Sequence, residues 1–284
     1  MGRLLIVGLG YSAQVVASRV AAAGWQVRAT TRDGRDGTLC FAGLEDAAAL
    51  GEAIGWASHV LSSVPPAGDA DPVLAAAGDR LGGRWLGYLS STGVYGDTGG
   101  AWVDESAPVG GGRRGARAAA DAGWLALGAR VFRLPGIYGP GRSPLDRVRA
   151  GTAHLVDAPR GQQRQVFSRI HVEDLAAGVI AGLDAPAGAY NLADDLPASG
   201  NEVTAYAARL LGMALPATVP LASLSPTARG FYAENRRVAN GRAKRVLGWR
   251  PRYPDYRLGL RALSATTSPA AVTSAPATAS GDQR

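Results

Sequence analysis

An apolar run, Arg3-Leu4-Leu5-Ile6-Val7, passes directly into Gly8-Leu9-Gly10-Tyr11-Ser12-Ala13, and no other segment limits the possible folds of this chain so strongly. Uncharged after Arg3, the run reads as a strand buried on both faces, and G-x-G-x-x-A reads as the turn that opens a helix behind it. In that pattern Gly8 makes the tight turn, Gly10 lets the backbone approach a diphosphate, and Ala13 keeps the helix close to the sheet. The amides that open the helix, at Tyr11, Ser12 and Ala13, then face the phosphates. The helix is predicted over Ala13 to Ala23 and stops at Gly24. A second strand over Trp25 to Thr31 completes a β-α-β unit, a context in which a glycine turn without a ligand is the weaker alternative.

The end of that second strand bears on which dinucleotide is held. An acidic side chain there bonds a free ribose 2′-hydroxyl, whereas an Arg accepts a 2′-phosphate. The chain offers Thr30-Thr31-Arg32. Hydroxyls and a guanidinium suit a dianionic phosphate, so the residues favour NADP(H), with Thr31 and Arg32 as ligands. Asp33 follows and is the ribose ligand if the cofactor is NAD.

Strands and helices continue to alternate. Thr38 to Phe41, His59 to Val64, Trp85 to Ser90 and Ala129 to Leu134 read as strands; Glu45 to Ile54, Asp71 to Leu81 and Arg117 to Leu127 read as helices. Pro65-Pro66 stops the fourth strand, and the Gly-rich stretch 99–115 reads as a surface loop. Such alternation predicts an α/β fold with a doubly wound parallel sheet, whose ligands gather outside the carboxyl ends of the strands. Beyond Leu134 the elements shorten: a strand over Val166 to Ile170, a helix over Val172 to Leu183, a strand over Ala189 to Leu192 and a helix over Asn201 to Leu211. The expected organisation is a dinucleotide-binding domain over 1–134, a smaller C-terminal substrate lobe over 135–263 with sheet elements interleaved, and an Ala/Ser/Thr/Pro-rich disordered tail over 264–284.

Of 284 residues, 46% are hydrophobic and 19% charged, a balance suited to one large α/β domain with an appended lobe. No stretch has the uncharged length of a bilayer span, and the first strand begins at residue 3, so a cytoplasmic protein with no membrane partner is expected. The net charge of +7 is spread along the chain without a basic helix or a recognition motif, which argues against nucleic acid. The single cysteine, Cys40, is expected as a small apolar strand residue. Three histidines without metal-ligand spacing point to no metal site; His171 and Asp174 read as packing and capping residues at a helix start.

Four segments carry a family likeness: the glycine turn, Ser91-Thr92-Gly93-Val94-Tyr95-Gly96, Arg133-Leu134-Pro135-Gly136-Ile137-Tyr138-Gly139-Pro140-Gly141, and Ile170-His171-Val172-Glu173-Asp174-Leu175-Ala176. In order and spacing, from residue 3 to about 263, the chain resembles the extended, Rossmann-type branch of the short-chain dehydrogenase/reductases, which holds nucleotide-sugar epimerases, dehydratases and related reductases. The resemblance implies that Ser91 holds a substrate oxygen, with Thr92 beside it. It also implies a cofactor cleft walled by Val64, Pro65, Pro66, Ser90 and Pro135.

The family's proton relay, a Tyr with a Lys four residues on, is missing. Arg113 and Arg117 stand at those places, and the only lysine is Lys244. An Arg keeps its proton, so Arg113 and Arg117 can stabilise an alkoxide or bind an anion but cannot act as the acid. Tyr95 and Tyr138, in loops at strand ends, are the candidate substitutes. Thr92-Gly93 occupies the place of the dehydratases' Asp-Glu pair, which argues against elimination of water. The expected function is an NADP(H)-dependent oxidoreductase of a small carbonyl or alcohol compound, with Arg142, Arg160 and Arg164 available to an acidic group on the substrate. A non-catalytic NADP(H) sensor or scaffold and a nucleotide-sugar epimerase are the alternatives, and monomer and homodimer both stay open.

Overall fold

The computed structural model describes residues 2–111, 115–157 and 165–267. The first half forms β1 (Arg3–Val7), α1 (Tyr11–Ala22), β2 (Gln26–Thr31), β3 (Leu39–Cys40), α2 (Ala47–Trp56), β4 (His59–Ser62), α3 (Pro72–Ala77), β5 (Trp85–Ser91), β6 (Trp102–Val103), α4 (Gly115–Ala126) and β7 (Arg130–Leu134). There follow β8 (Gly136–Tyr138), α5 (Pro144–Arg149), β9 (Leu155–Asp157), β10 (Arg169–His171), α6 (Val172–Ala181), β11 (Gly188–Asn191), α7 (Gly200–Leu210), β12 (Thr218–Pro220), α8 (Pro226–Tyr232), β13 (Arg237–Val238), α9 (Gly241–Val246) and α10 (Tyr256–Thr267).

Seven strands make one sheet in the order β11-β7-β5-β4-β1-β2-β3, and every pairing is parallel. The chain steps outward from β1 to β2 and β3, then returns to place β4 on the other side of β1. The strand order therefore reverses between β1 and β4, the place in such sheets where ligands gather outside the carboxyl ends. β1 is the central element, and Leu4 to Val7 are each at most 1% exposed, as a strand covered on both faces requires. One face is covered by α1 and α6, whose Val16, Val20, Leu175 and Val179 pack with Leu4 and Ile6. The opposite face is covered by α2, α3 and α4 through Leu50, Ile54, Val73 and Trp124. A separate cluster joins α5, α7 and α10 through Leu145, Val148, Val203, Ala207 and Leu260.

Helix ends moved where backbone geometry overrode periodicity. α1 begins at Tyr11, directly after the extended Gly10, and ends at Ala22; Gly24 follows with φ +84°, a left-handed stop that glycine adopts freely. The predicted helix over Asp71 to Leu81 is α3 alone followed by a 3-10 turn over Gly78–Arg80. Asp71 is the cap: its Oδ1 accepts the Val73 and Leu74 amides at 2.9 and 3.0 Å, and its Oδ2 accepts the Trp124 indole at 2.9 Å.

Three other expectations are corrected. The Gly-rich stretch contains β6, which pairs with β13 from more than a hundred residues away, a partner no local pattern discloses. The strand expected over Val166 to Ile170 is β10, paired with β8; Phe167 makes only an isolated bridge to Ala198. Residues 264–267 belong to α10, which buries Leu260 and Leu263 against α7 and continues for another turn; 268–284 lie outside the described residues. Among the described residues no helix is long and apolar enough to cross a membrane.

Candidate active site

At the carboxyl end of β1 the two glycines do different work. Gly8 has φ +90°, and a Cβ there would lie 2.9 Å from the Val64 side chain. Its amide donates to Thr30 Oγ1 at 3.0 Å, and the Leu9 amide donates to the Thr30 carbonyl at 2.8 Å, so the turn is tied to β2. Gly10 has an ordinary extended backbone, φ −89°, and a Cβ built on it would meet nothing within 4 Å. Neither strain nor crowding calls for glycine there, which leaves close approach of another molecule as the physical reason for it. α1 starts without a side-chain cap, so the amides of Tyr11, Ser12 and Ala13 keep their hydrogens for an outside acceptor. An uncapped helix start beside an open glycine fits a dinucleotide's diphosphate.

Thr31 and Arg32 stand at the carboxyl end of β2. The buried Thr31 hydroxyl meets Thr38 Oγ1 at 2.7 Å, while Asp33 pairs with Arg35 at 3.4 Å. The exposed Arg32 side chain makes no hydrogen bond or ion pair among the described residues. Cys40 is exposed, not a packed apolar residue, because β3 is the sheet edge; its thiol donates to the Arg32 carbonyl at 3.2 Å. Val64 packs on Gly8, with Pro65 exposed and Pro66 half-buried behind it.

A cleft of about 650 Å³ opens beyond β5 and β7 and is walled by Ser91, Thr92, Pro135 and Arg142, together with residues of α5, α7 and α8. Ser91 is half-buried, and its Oγ accepts the Gly93 amide at 3.1 Å. Its own hydrogen remains available, so the loop cap and a donor to a substrate oxygen coexist in one hydroxyl. The Tyr11 hydroxyl donates to the Pro140 carbonyl at 3.1 Å, and the Arg142 guanidinium lies 5.5 Å from the centre of the Tyr11 ring. The glycine turn and the cleft wall are thereby in direct contact.

Several expected residues face elsewhere. The Ser90 hydroxyl does not reach the cleft: it donates to Asp121 Oδ2 at 2.6 Å. Asp121 is also held by Arg133, whose Nη2 and Nε lie 2.7 and 3.1 Å from its two oxygens. The same Arg133 donates to the Tyr95 hydroxyl at 3.0 Å, and that hydroxyl donates to Asn191 Oδ1 at 2.8 Å. Tyr95 is consequently part of a closed interior network, and burial pushes its phenol above the ordinary range. The Tyr138 hydroxyl is buried against Gly259 of α10 and has no hydrogen-bond partner among the described residues; burial raises its pKa. The candidacy of Tyr95 and Tyr138 as cleft acids is corrected on these grounds, since neither lines the cleft. Arg117 is half-buried in the first turn of α4 and also lies off the cleft wall. Arg113, Arg160 and Arg164 lie outside the described residues.

His171 caps α6, its Nδ1 accepting the Glu173 amide at 3.2 Å; burial pushes its pKa down to about 4. Asp174 does more than favour a helix dipole: its two oxygens accept the Arg252 and Tyr253 amides at 2.7 and 2.9 Å and so fix the approach to α10. Sequence reasoning missed Arg147, Phe167, Arg169, Tyr232 and Arg236 on the cleft wall. Arg147 had a local signal, the Ser143-Pro144-Leu145-Asp146 capping box just before it; the others arrive from elements too short to show a period.

No family model matches the chain. It is 40% identical to a functionally unknown conserved protein from Silicibacter pomeroyi DSS, with a TM-score of 0.80, covering 94% of this chain and 99% of that one. It is 34% identical over 146 residues to the 3-diazoavenalumate denitrifying reductase of a Streptomyces species, a match covering 47% of this chain and 46% of the reductase, so about half the length of that curated relative is spanned. The human epimerase family protein SDR39U1, solved with NADPH, shares the fold with a TM-score of 0.71 at 18% identity, over 93% of this chain and 98% of that one. The chain belongs to the same family as the Silicibacter pomeroyi protein.

Proposed function

We propose that this protein is an NADP(H)-dependent oxidoreductase that interconverts a small carbonyl compound and its alcohol. The observation that carries the reading is the open Gly10 at an uncapped helix start, joined through Tyr11 to a cleft that contains Ser91. The amides of Tyr11, Ser12 and Ala13 would hold the diphosphate, and Thr31 and Arg32 would hold the 2′-phosphate. Val64, Pro65, Pro66 and Pro135 would bound the dinucleotide's cleft. A bound nicotinamide supplies or accepts the hydride.

Within the cleft, Ser91 donates its hydroxyl hydrogen to the substrate oxygen and polarises the carbonyl, with Thr92 fixing the substrate's position. Reduction adds a hydride to the carbonyl carbon and a proton to its oxygen. The proton has two sources on the cleft wall, the Tyr232 phenol and the His154 imidazole, in place of Tyr95 and Tyr138. Burial raises the Tyr232 pKa, so that phenol keeps its proton near neutrality. A second reading, a dinucleotide sensor or scaffold without turnover, draws its support from the burial of Tyr95 and Tyr138.

A screen of NADPH oxidation over a panel of carbonyl compounds separates the two. The oxidoreductase reading expects turnover that Ser91→Ala abolishes while NADPH still binds. A wild-type protein that holds NADPH and oxidises none of it across the panel favours the sensor.

A further inference from the structure

Four arginines stand on the cleft wall, and their own partners divide them. Arg236 pairs with Glu234 at 2.9 Å and donates to the Gly96 carbonyl at 2.6 Å. Arg169 donates to the Phe167 and Ala198 carbonyls, each at 2.8 Å. Among the described residues the Arg142 side chain faces the Tyr11 ring without a hydrogen bond or ion pair, and the Arg147 side chain has neither.

These two occupy one corner. Ser143 is the cap of α5 and Asp146 its third residue, so Arg142 directly precedes the cap and Arg147 is the fourth residue of the helix. Both line the cleft, at two helix-start positions where an apolar pair is usual. Both side chains are exposed and neither pairs with a carboxylate among the described residues, so both are available to an anion in the cleft. The nearby carboxylate is committed: Asp146 Oδ2 accepts the Ser143 amide and hydroxyl, both at 2.7 Å, and its Oδ1 lies 3.9 Å from Arg149. Glu234, the acid on the cleft wall, is spent on Arg236.

The rest of the wall carries the hydroxyls of Ser91, Thr92, Thr152, Ser168, Thr204 and Tyr232, and beside them an apolar patch. Phe167 meets the Tyr232 ring edge to face at 5.8 Å, and Val203, Leu224 and Phe231 continue the surface, Phe231 with 46% of its area exposed.

We propose that the cleft takes an organic acid with an apolar, ring-sized body: Arg142 and Arg147 hold its carboxylate or phosphoryl oxygens, and Phe167, Leu224 and Phe231 hold the body. This deepens the oxidoreductase reading and rests on it for what happens to the bound acid, though the binding itself is measurable without turnover. The two headgroups share one chemistry, an oxyanion that accepts paired guanidinium hydrogens.

Calorimetric titration of the full-length protein, with and without NADP+, tests the assignment with six probes: 4-phenylbutyrate, phenyl phosphate, benzyl alcohol, acetate, inorganic phosphate and UDP-glucose. The expected result is that 4-phenylbutyrate or phenyl phosphate binds at least about tenfold tighter than the other four, the better of the two identifying the headgroup. Arg142→Ala and Arg147→Ala should each weaken that acid by roughly 10- to 100-fold, as loss of a charge-assisted hydrogen bond does, while Arg147→Ala leaves NADPH affinity at the wild-type value. Benzyl alcohol binding as well as the acids, UDP-glucose binding tightest, or Arg147→Ala binding the acids like wild type would each overturn it. If the acids bind and no dinucleotide does, the substrate class stands and the cofactor reading falls; if NADP+ binds and no aryl acid does, the substrate class alone falls.

Discussion

Replacing Gly10 by Ala separates ligand binding from folding. The backbone there is extended at φ −89°, and the added methyl would meet no protein atom within 4 Å, so the folded state tolerates it. A Gly→Ala change at such a site stabilises by about 0.4–1 kcal/mol because the unfolded chain loses freedom. At about 2–4 °C per kcal/mol for a chain somewhat shorter than this one, Tm should rise by roughly 1–4 °C. The same methyl intrudes where a diphosphate would meet the first amides of α1. Loss of one charge-assisted hydrogen bond, about 1.5–3 kcal/mol, corresponds to a rise in Kd of roughly 10- to 150-fold. Gly8→Ala is the control: at φ +90° and 2.9 Å from the Val64 side chain, it should cost stability, about 1–3 kcal/mol. Thermal melts with and without NADPH, together with calorimetry, measure both quantities. A Gly10→Ala protein that melts at or above the wild-type temperature and binds NADPH within twofold of wild type would refute the assignment of that glycine to ligand approach.

Three further outcomes follow from the interior. Asp121→Ala strands the Arg133 guanidinium, which is only 4% exposed, and should cost about 3–5 kcal/mol in denaturant melts; near-neutral stability would remove the network from the account of the core. Asp71→Ala takes the acceptor from two α3 amides and from the Trp124 indole, so a loss of about 2–4 kcal/mol is expected, with Asp71→Asn recovering part of it. Asp194 is 1% exposed, and burial raises its pKa to about 8 against the opposing pull of the Arg169 charge and of nearby backbone amides. Its folded pKa exceeds the unfolded value of about 4, so the folded state binds the extra proton; stability is fully present below pH 4 and is lost as pH rises through 8. Asp194→Asn should flatten that part of the wild-type stability profile, and an unchanged slope would contradict the assignment.

How much of this was legible in the residues depended on how local the cause was. β1, its glycine turn and the return of β2 are contiguous, and strand burial, turn geometry and helix initiation all act within some thirty residues, so the fold class and the glycine turn could be read directly. The direction of a hydroxyl in a 3-10 turn is not local. Tyr95 turns inward because Asn191 and Arg133 wait for it, 96 and 38 residues along the chain, and no period announces those partners. Ser90 and Ser91 alternate along β5, one toward Asp121 and one toward the cleft, but which of them faces which side is settled only by the helix packed behind. Phe167, Arg169 and Arg236 reach the cleft from β10, β13 and the residues beside them, strands of three and two residues whose pairing is purely tertiary. Cys40 looked apolar by type and is exposed because β3 ends the sheet.

The central claim is that a nicotinamide dinucleotide rests its diphosphate on the start of α1 and its 2′-phosphate on Arg32. Calorimetric titration of the wild-type protein with NADPH and with NADH tests it most directly. One NADPH per chain, held more tightly than NADH, with the gap narrowed in Arg32→Ala, is the predicted result; no heat with either nucleotide would contradict it.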